Sequence, residues 1–534
     1  YWSIQVTLNT DSGKASASES GSQQDIEATL HRLSTAKSRL SISTGDQAAA
    51  ISDSLIRSTF LVTDISKQQR ARRPAAPFTT STLQQEGWRK ARFGTERTMR
   101  IAQELYQGIS VGHDGEVGLI TYMRTDSTEL APSAKAQARD YILTEYGPDY
   151  LPKSPRNYKT KAKAAQEAHE AIRPTDVTIH PAEAARYLEA DQAKLYELIW
   201  LRFVASQMSP TVYDTTTVDF DLTGKSGGNY LFRATGSIVK FSGFTRLYVE
   251  ATEVGAQGRL DDLEPLPDFT EGDVAQLSSI EPKQHFTQPP PRYSEASLVK
   301  ELEELGIGRP STYAQIISVI VDRGYVELDQ RRFHPTDLGE VVSKLLVRIF
   351  PNIFDVEFTS RMESELDRVE EGEVEWQKVL AGFYPNFLER IEDGNANSDE
   401  IIKEILAAEG EECEKCSQPM LVRWNRFGRF LGCSGYPECK NTRSLDGIDP
   451  EGKQLGEHPD EGQMVRLKVG PYGPYVELES VSDAEKPKRV SLPKGKEPDE
   501  IDLAYALKLL QLPRPGSRRI SLHYMLQTLS LIHI

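Results

Sequence analysis

The chain has 534 residues, enough for several domains with cores of their own. Hydrophobic residues make up 38% of it and charged residues 27%, as is typical of a globular protein, and no apolar run approaches the roughly 20 residues of a membrane span. The net charge of −16 argues against a uniformly basic nucleic-acid-binding protein but leaves room for a local basic groove. Because the chain begins at Tyr1, with neither Met nor a signal peptide, we expect it to start inside a longer gene product.

The first 65 residues predict two extended stretches around a helix. Apolar residues alternate at Trp2, Ile4, Val6 and Leu8, as in a strand, whereas Ile26–Leu33 has a helical pattern. Leu55–Ile65 is predicted to be extended, and the stiff Arg73–Pro77 turn should end that strand.

A basic stretch then leads into a helix. Between Ser66 and Arg100 nine cations face two acids, a net charge of +7 within an acidic protein. Thr79–Thr82 should open a helix that continues through Met99 to Leu105. The stretch is either a nucleic-acid contact or a solvated helix face.

The segment from Gly118 to Glu129 places a tyrosine beside a cation. Tyr122 ends a short apolar run, Arg124 follows two residues later, and Asp126–Thr128 offer oxygens to cap a helix that runs to about Tyr146. A helix N-terminus with an adjacent arginine suits a phosphate. Tyr122 is therefore a candidate nucleophile toward phosphorus, although it is one of 21 tyrosines and an ordinary core or surface role is the alternative.

A compact polar cluster follows a Pro- and Lys-rich loop. It contains His169, Glu170 and Arg173, and a hydrogen-bonded structural role for His169 remains open. Pro181–Met208 is strongly helical. From Thr211 the apolar period switches to two, which predicts antiparallel strands that continue to Arg246–Val249.

The next segment has the element order of a winged helix. Helices are predicted over Ser294–Leu305 and Tyr313–Asp322, with Arg309, Ser311 and Thr312 in the loop between them as a potential phosphate cradle. A β-ribbon over 323–335 follows, and helices over 338–350, 359–370 and 376–391 close the segment.

All four cysteines lie in one window, which leaves none for a disulfide elsewhere. Two close pairs, Cys413 with Cys416 and Cys433 with Cys439, are typical of a tetrahedral zinc site in a segment too poor in apolar residues to fold without metal. Cations and aromatics alternate between the pairs, as on surfaces that bind single-stranded nucleic acid. Val465–Val476 predicts a further small β-rich unit, and Ile501–Leu510 a closing helix.

Four motifs together resemble the bacterial type IA DNA topoisomerases (topoisomerase I), in order and in spacing. They lie at residues 77–83, 120–128, 167–174 and 306–313, and the cysteine window and the unit near 473–476 resemble that family's C-terminal zinc ribbons and metal-free repeats. The resemblance implies a multidomain α+β fold, a toroid made of a strand-rich arch and helical, winged-helix-like domains. A zinc ribbon and a small β-rich repeat follow.

The implied boundaries divide the chain into seven parts. They are two parts of the arch (1–70 and 208–287), a helical domain with the nucleophile (71–207), a helical DNA-binding domain (288–400), the ribbon (408–445), the repeat (446–514) and a non-native tail (515–534).

The resemblance also implies the activity and the residues that perform it. Tyr122 attacks a backbone phosphorus to form a 5′-phosphotyrosine, Arg124 stabilises charge on the phosphate, and the DNA is rejoined without ATP after strand passage, which relaxes negative supercoils. DNA contacts are implied for seven residues: Asp126, His169, Arg173, Arg309, Ser311, Thr312 and Arg323. Zn²⁺ is implied at the four cysteines, whereas the ligands of the family's Mg²⁺ are expected in a TOPRIM domain before Tyr1. We therefore expect this chain to bind single-stranded DNA but not to relax supercoils unaided.

The expected setting is the bacterial cytoplasm, at the nucleoid, with the protein a monomer not bound to membrane. Its expected partners are single-stranded and negatively supercoiled DNA, and RNA polymerase through the C-terminal region. Three alternatives remain: a non-catalytic zinc scaffold that binds single-stranded DNA, a tyrosine recombinase or type IB enzyme, and an RNA-binding zinc protein.

Overall fold

The structure of the chain is a computed structural model. It describes residues 1–9, 25–56, 58–110, 115–158, 169–223, 229–251, 263–425, 428–444, 453–459, 461–470, 473–480, 487–493 and 501–511. Two compact units make up the chain, one of residues 1–339 with 355–379 and the other of residues 340–354 with 380–534. No helix in the described ranges is long and apolar enough to cross a membrane. The predicted tail, 515–534, lies outside these ranges.

The N-terminal segment contributes three strands and one helix, which are β1 (Trp2–Asn9), β2 (Asp25–Leu33), α1 (Gly45–Leu55) and β3 (Thr59–Arg72). The helix predicted over Ile26–Leu33 is wrong, because this stretch is strand β2. Ile26, Ala28 and Leu30 are its buried residues, and this period of two places them on the inner face. The extended stretch predicted from Leu55 starts only at Thr59, because Leu55 is the last residue of α1.

The helical segment lies between β3 and the next long strand. Its elements are α2 (Thr80–Glu86), α3 (Thr95–Gln107), β4 (Ile109–Ser110), β5 (Glu116–Val117), α4 (Pro132–Tyr146), α5 (Pro181–Ala184) and α6 (Ala190–Ser206). The single helix predicted from Thr79 to Leu105 is interrupted. A π-helical turn, Gly87–Ala91, ends at Arg92, whose φ of 60° is left-handed, and α3 begins only after Gly94.

The chain then returns to the strands with β6 (Thr211–Thr223), β7 (Tyr230–Phe241) and β8 (Val274–Gln284). Six strands close into a barrel in the order β1-β2-β7-β6-β3-β8, so both strand-rich segments share one sheet. The barrel has its own apolar core, in which the Phe60 and Phe232 rings meet edge to face at 5.3 Å. The strand predicted over Arg246–Val249 is wrong, because Gly243–Arg246 forms a 3₁₀ turn.

The following segment has the predicted order of helix, helix and ribbon. Its elements are α7 (Glu295–Glu304), α8 (Tyr313–Asp322), β9 (Val326–Asp329), β10 (Arg332–Pro335), α9 (Asp337–Ile349), α10 (Phe358–Glu370) and α11 (Trp376–Leu406). Ser294 and Ser297 form the capping box of α7. Helix α11 extends past the end predicted at Ile391.

Two small antiparallel sheets and a helix end the described chain. The first sheet has the order β11 (Ala407–Glu412), β12 (Pro419–Asn425), β13 (Gly428–Cys433) and β14 (Thr442–Ser444). The second has the order β15 (Lys453–Glu457), β16 (Met464–Gly470), β17 (Gly473–Leu478) and β18 (Lys488–Ser491). Helix α12 (Leu503–Leu510) packs its apolar side chains into the core of the second sheet.

Candidate active site

A segment that is neither helix nor strand, with a bend at Met123 and Arg124, presents Tyr122 and Arg124 to the same cavity. Residues 122–125 alternate exposed and buried, so Tyr122 and Arg124 point outward while Met123 and Thr125 are buried. On one side, the Thr121 N–H donates to the Arg173 carbonyl at 2.9 Å. On the other side, the Thr80 hydroxyl donates to the Met123 carbonyl at 2.7 Å. These bonds hold the tyrosine backbone between two parts of the same compact unit.

Two aromatic rings flank Tyr122. The Tyr106 ring meets it edge to face at 5.5 Å between centroids, and the His169 ring lies 5.7 Å away. Even so, 37% of Tyr122 is exposed. Gly118 permits this arrangement because a Cβ there would lie 2.6 Å from the Tyr106 carbonyl oxygen.

No helix begins next to Tyr122. The capping role predicted for Asp126–Thr128 is wrong, because α4 starts at Pro132 and has no side-chain cap. Instead, the Thr125 and Ser127 hydroxyls accept bonds from the backbone N–H groups two residues on, at 3.0 and 3.1 Å. The dipole of α4 therefore does not act on a phosphate next to Tyr122.

Tyr122 opens into a cavity of about 410 Å³. The predicted site residues that line it are Tyr122, Arg124, Asp126, His169, Arg309 and Ser311. Within the described chain, Arg124 makes no hydrogen bond or ion pair, which leaves its guanidinium available to an anion. The cavity thus brings together Tyr122 and Ser311, which are nearly 190 positions apart in the sequence.

The loop between α7 and α8 presents Arg309 to this cavity. Gly306 and Gly308 adopt left-handed φ angles of 69° and 78°, which favour glycine. The Thr312 hydroxyl accepts a bond from the Arg309 N–H at 2.8 Å, so Thr312 shapes the loop instead of lining the cavity. The pKa of the next residue, Tyr313, is raised to about 12, because burial disfavours its phenolate.

Acidic residues that sequence analysis did not single out form another wall. Glu363, Asp367 and Glu370 of α10 all line the cavity. The Arg309 guanidinium lies 3.2 Å from the Glu363 carboxylate and 3.7 Å from that of Asp367. The spacing of three and four residues, which places all three acids on one helix face, is the signal that could have identified them.

Besides Thr312, two predicted DNA contacts lie outside the cavity lining, Arg173 and Arg323. Arg173 donates to Glu170 at 2.6 Å and to the Pro174 carbonyl at 2.9 Å. Arg323 is exposed at the C-terminal end of α8. At the tip of the β9–β10 ribbon, Arg331 lies over the Trp88 ring at 3.9 Å and donates to the Trp88 carbonyl at 3.0 Å. The ribbon tip is thus occupied by a contact within the protein.

The residues of the basic stretch are distributed over β3, α2, the π-helical turn and α3. Several of its cations form ion pairs within the protein. Arg97 pairs with Asp191, and Arg100 donates to Glu104 at 2.7 Å. For these two cations, the structure favours intramolecular pairing over a nucleic-acid contact.

The four cysteines form a separate site. Their sulfur atoms all lie within 4.8 Å of one another, and in the described ranges they are the single group of metal-ligating side chains gathered this closely. The Asn441 amide donates to the Cys413 sulfur at 3.4 Å, and the Gly435 N–H donates to the Cys433 sulfur at 3.3 Å. Four thiolates with N–H donors around them fit a tetrahedral zinc ion. Of the interleaved cations and aromatics, Arg426 and Phe427 lie outside the described residues.

Comparison with protein families identifies the chain. Residues 1–381 match the family model of the DNA topoisomerases. The chain belongs to the DNA topoisomerase family. Residues 410–448 match the topoisomerase DNA binding C4 zinc finger, and residues 458–519 match the topoisomerase C-terminal repeat, which extends five residues past the predicted end of the repeat.

Individual topoisomerases agree with the family match. The chain is 43% identical over 501 residues to DNA topoisomerase 1 of Rickettsia bellii (strain RML369-C), across 89% of this chain and 62% of that protein. It also resembles the structure of full-length topoisomerase I from Thermotoga maritima, with a TM-score of 0.62 and 32% identity, across 87% of this chain and 68% of that one. The resemblance to the bacterial type IA topoisomerases is therefore confirmed, as is the α+β fold class with its ribbon and repeat. This chain spans less than two thirds of its Rickettsia relative.

Proposed function

We propose that this chain carries the nucleophile of a type IA DNA topoisomerase, which cleaves and rejoins single-stranded DNA through Tyr122. The observation that supports this most directly is that Tyr122 and Arg124 line one cavity. The phenol is exposed, and the guanidinium has no hydrogen-bond or ion-pair partner among the described residues. The family match supplies the substrate class.

In the proposed reaction, the Tyr122 Oη attacks a backbone phosphorus. The new Oη–P bond replaces the P–O3′ bond, and the leaving oxygen takes up a proton to become a 3′-hydroxyl. Arg124 stabilises the charge on the phosphate oxygens, and Arg309 and Ser311 guide the strand. Reversal rejoins the strand without ATP because the phosphotyrosine conserves the phosphodiester bond. Passage of another strand before rejoining relaxes negative supercoils.

The residues present fit a zinc ion at the cysteines but not a magnesium ion in the cavity. The cysteine site fits Zn²⁺ as a structural ion. For the Mg²⁺ of the family, Asp126, Glu363, Asp367 and Glu370 supply carboxylates to the cavity, but they are not gathered as a metal site in the described chain. These residues do not fit a resident Mg²⁺, and we assign no step to it.

We also propose further DNA contacts, an oligomeric state, a cellular location and a partner protein. Asp126, His169, Arg173, Thr312 and Arg323 are proposed to contact or position DNA, with Thr312 acting through the Arg309 loop. We further propose a monomer in the bacterial cytoplasm that acts on negatively supercoiled DNA and contacts RNA polymerase through its C-terminal region.

Substitution of the nucleophile tests the proposal. In the complete gene product, Tyr122→Phe should abolish the covalent DNA adduct, because it removes the attacking oxygen while keeping the ring. The measurement is denaturing gel electrophoresis of a single-stranded oligonucleotide labelled at either end, which also shows whether protein is attached at the 5′ or the 3′ side.

Tyr106→Phe is the matched control, since Tyr106 packs against Tyr122 and the change keeps that ring contact. It should retain the adduct. An adduct that persists in Tyr122→Phe would refute the assignment, attachment at the 3′ side would favour a type IB or recombinase mechanism, and DNA binding without any wild-type adduct would indicate a scaffold.

A further inference from the structure

A second cavity adjoins the one that contains Tyr122. It has a volume of about 430 Å³ and lies between α3 and α8. Arg124, Pro310 and Ser311 line both cavities. A phosphate held at Arg124 would therefore lie where the two cavities adjoin.

The walls of the second cavity combine apolar and amide groups. Met99 of α3 and Ala314 of α8 supply apolar surface, and Gln103 and Gln315 lie on the same two helices. These helices also bring Glu96, Arg100 and Ser318 to the lining, and Arg100 donates to Glu104 at 2.7 Å. Neither glutamine side chain makes a hydrogen bond within the described part of the chain. Each therefore offers an NH2 group with two N–H donors and a carbonyl oxygen acceptor to a ligand.

The volume suits a small planar ligand. Pockets for small molecules have volumes of roughly 300–1,000 Å³, with apolar walls and a few polar groups that fix orientation. An unpaired base is such a group: its faces are apolar, and its edge carries donors and acceptors. In a single strand, each base is joined to the phosphate backbone through one sugar. A DNA phosphate bound by Arg124 therefore places a neighbouring base within reach of this cavity.

We propose that the cavity between α3 and α8 binds one unpaired base next to the phosphate held at Arg124, and that Gln103 and Gln315 select it. The inference rests on the proposed function, because it requires a DNA strand at Arg124. A glutamine amide matches the paired donor and acceptor of the adenine N6/N7 edge. Adenine is therefore the expected base, and these two glutamines determine sequence preference without taking part in bond breakage.

Selection of oligonucleotides by the 534-residue chain tests the inference. Single-stranded 12-mers of random sequence are bound at limiting protein, separated from unbound DNA and sequenced. The wild-type chain should enrich adenine several-fold at one position. Gln103→Leu and Gln315→Leu should each remove most of that enrichment, because leucine has a similar volume but no hydrogen-bonding groups.

Gln107→Leu is the control, because Gln107 is an exposed residue of α3 outside the cavity lining. It should leave the preference unchanged, and the DNA affinity of the zinc ribbon and repeat is common to all variants. Three results would overturn the inference: no positional preference in the wild type, a preference for another base, or a preference that survives both cavity substitutions. Tyr122→Phe should not affect this binding experiment, so failure of the adduct test and failure of this test are distinguishable.

Discussion

Arg309 shows how charge is arranged around the proposed phosphate site. Its guanidinium is paired with Glu363 and lies near Asp367, whereas Arg124 in the same cavity has no ion-pair partner in the described ranges. A DNA phosphate that approaches Arg309 must compete with these carboxylates. Arg309 is thus oriented by the protein and partly neutralised by it at the same time.

Glu363→Gln should strengthen binding of single-stranded DNA by the chain. The substitution removes one negative charge from the cavity and weakens the competition for Arg309. Because this pair is partly exposed, we expect only about a two- to fivefold gain in affinity. Fluorescence anisotropy of a labelled oligonucleotide at several salt concentrations measures it, and the gain should shrink as salt rises.

Glu365→Gln is the control for this prediction. Glu365 lies on the same helix and pairs with Arg368 at 3.1 Å, outside the cavity lining. Glu365→Gln changes the net charge by the same amount as Glu363→Gln. An equal gain in DNA affinity in both variants would show a general charge effect and contradict the role of the Arg309 pair.

At the residue scale, sequence analysis identified the cavity's basic and nucleophilic groups but not its acidic wall. Tyr122 and Arg124 are only two residues apart in the chain, so their lining of one cavity could be expected from their spacing. The acids of α10 could not be placed in the cavity, because that requires knowledge of which face of α10 packs against the Arg309 loop. The roles of Thr312 and Arg173 as internal partners likewise depend on tertiary contacts.

At the scale of elements, one buried carboxylate joins two distant parts of the chain. The Glu295 side chain accepts bonds from the Thr95 N–H at 2.7 Å and from the Thr95 hydroxyl at 3.0 Å. Gly94, in the N-cap position of α3, has no side chain to cap the helix, so Glu295 of α7 supplies the acceptor. The helix dipole adds to this attraction because the carboxylate lies at the positive end of α3.

Glu295→Ala should destabilise the compact unit that contains both helices. It leaves a buried N–H without an acceptor, which costs about 1–3 kcal/mol. Thermal unfolding followed by circular dichroism should show a lower midpoint for the transition of this unit. Glu304→Gln, which affects only an exposed pair with Lys300, should change stability little, and an equal loss in both variants would contradict the capping role.

The elements also show where sequence patterns are ambiguous. Ile26 and Leu30 are four residues apart, a spacing that fits a helix face as well as alternate positions of a strand. Pairing with β1 and β7 on both sides decided in favour of β2. By contrast, α8 has the predicted bounds, since glycines and Pro310 separate it clearly from α7. The helix expected after Asp126 started later because Thr125 and Ser127 bond to the local backbone instead.

At the scale of the compact unit, the helical segment is an insertion in the barrel. Strands β3 and β6 pair along their whole length, and the last pair is Arg72 with Thr211. The chain therefore leaves and re-enters the barrel at neighbouring positions. Among the described residues of the intervening segment, none belongs to the buried core of the barrel, so the described parts have separate interiors.

Replacement of residues 73–210 by a two-residue Asn-Gly turn should leave a folded barrel. The turn joins antiparallel neighbours, for which such short connections are favourable. Circular dichroism of residues 1–286 with this replacement should show β structure and one cooperative unfolding transition. Phe232→Asp in the same background should abolish folding, because Phe232 is fully buried in the core. An unfolded or aggregated product without that substitution would contradict the separation of the two interiors.

The closure of the barrel also has a consequence for synthesis on the ribosome. One edge of strand β1 forms its hydrogen bonds with β8, whose residues follow more than 260 positions later in the chain. During synthesis, that edge of β1 stays unpaired until β8 has been made. A long unpaired edge is a site for association with other chains. The completed barrel has no free edge, yet its first strand is exposed through most of the translation of this unit. The period of greatest risk of aggregation is therefore during synthesis, before Val274–Gln284 has left the ribosome.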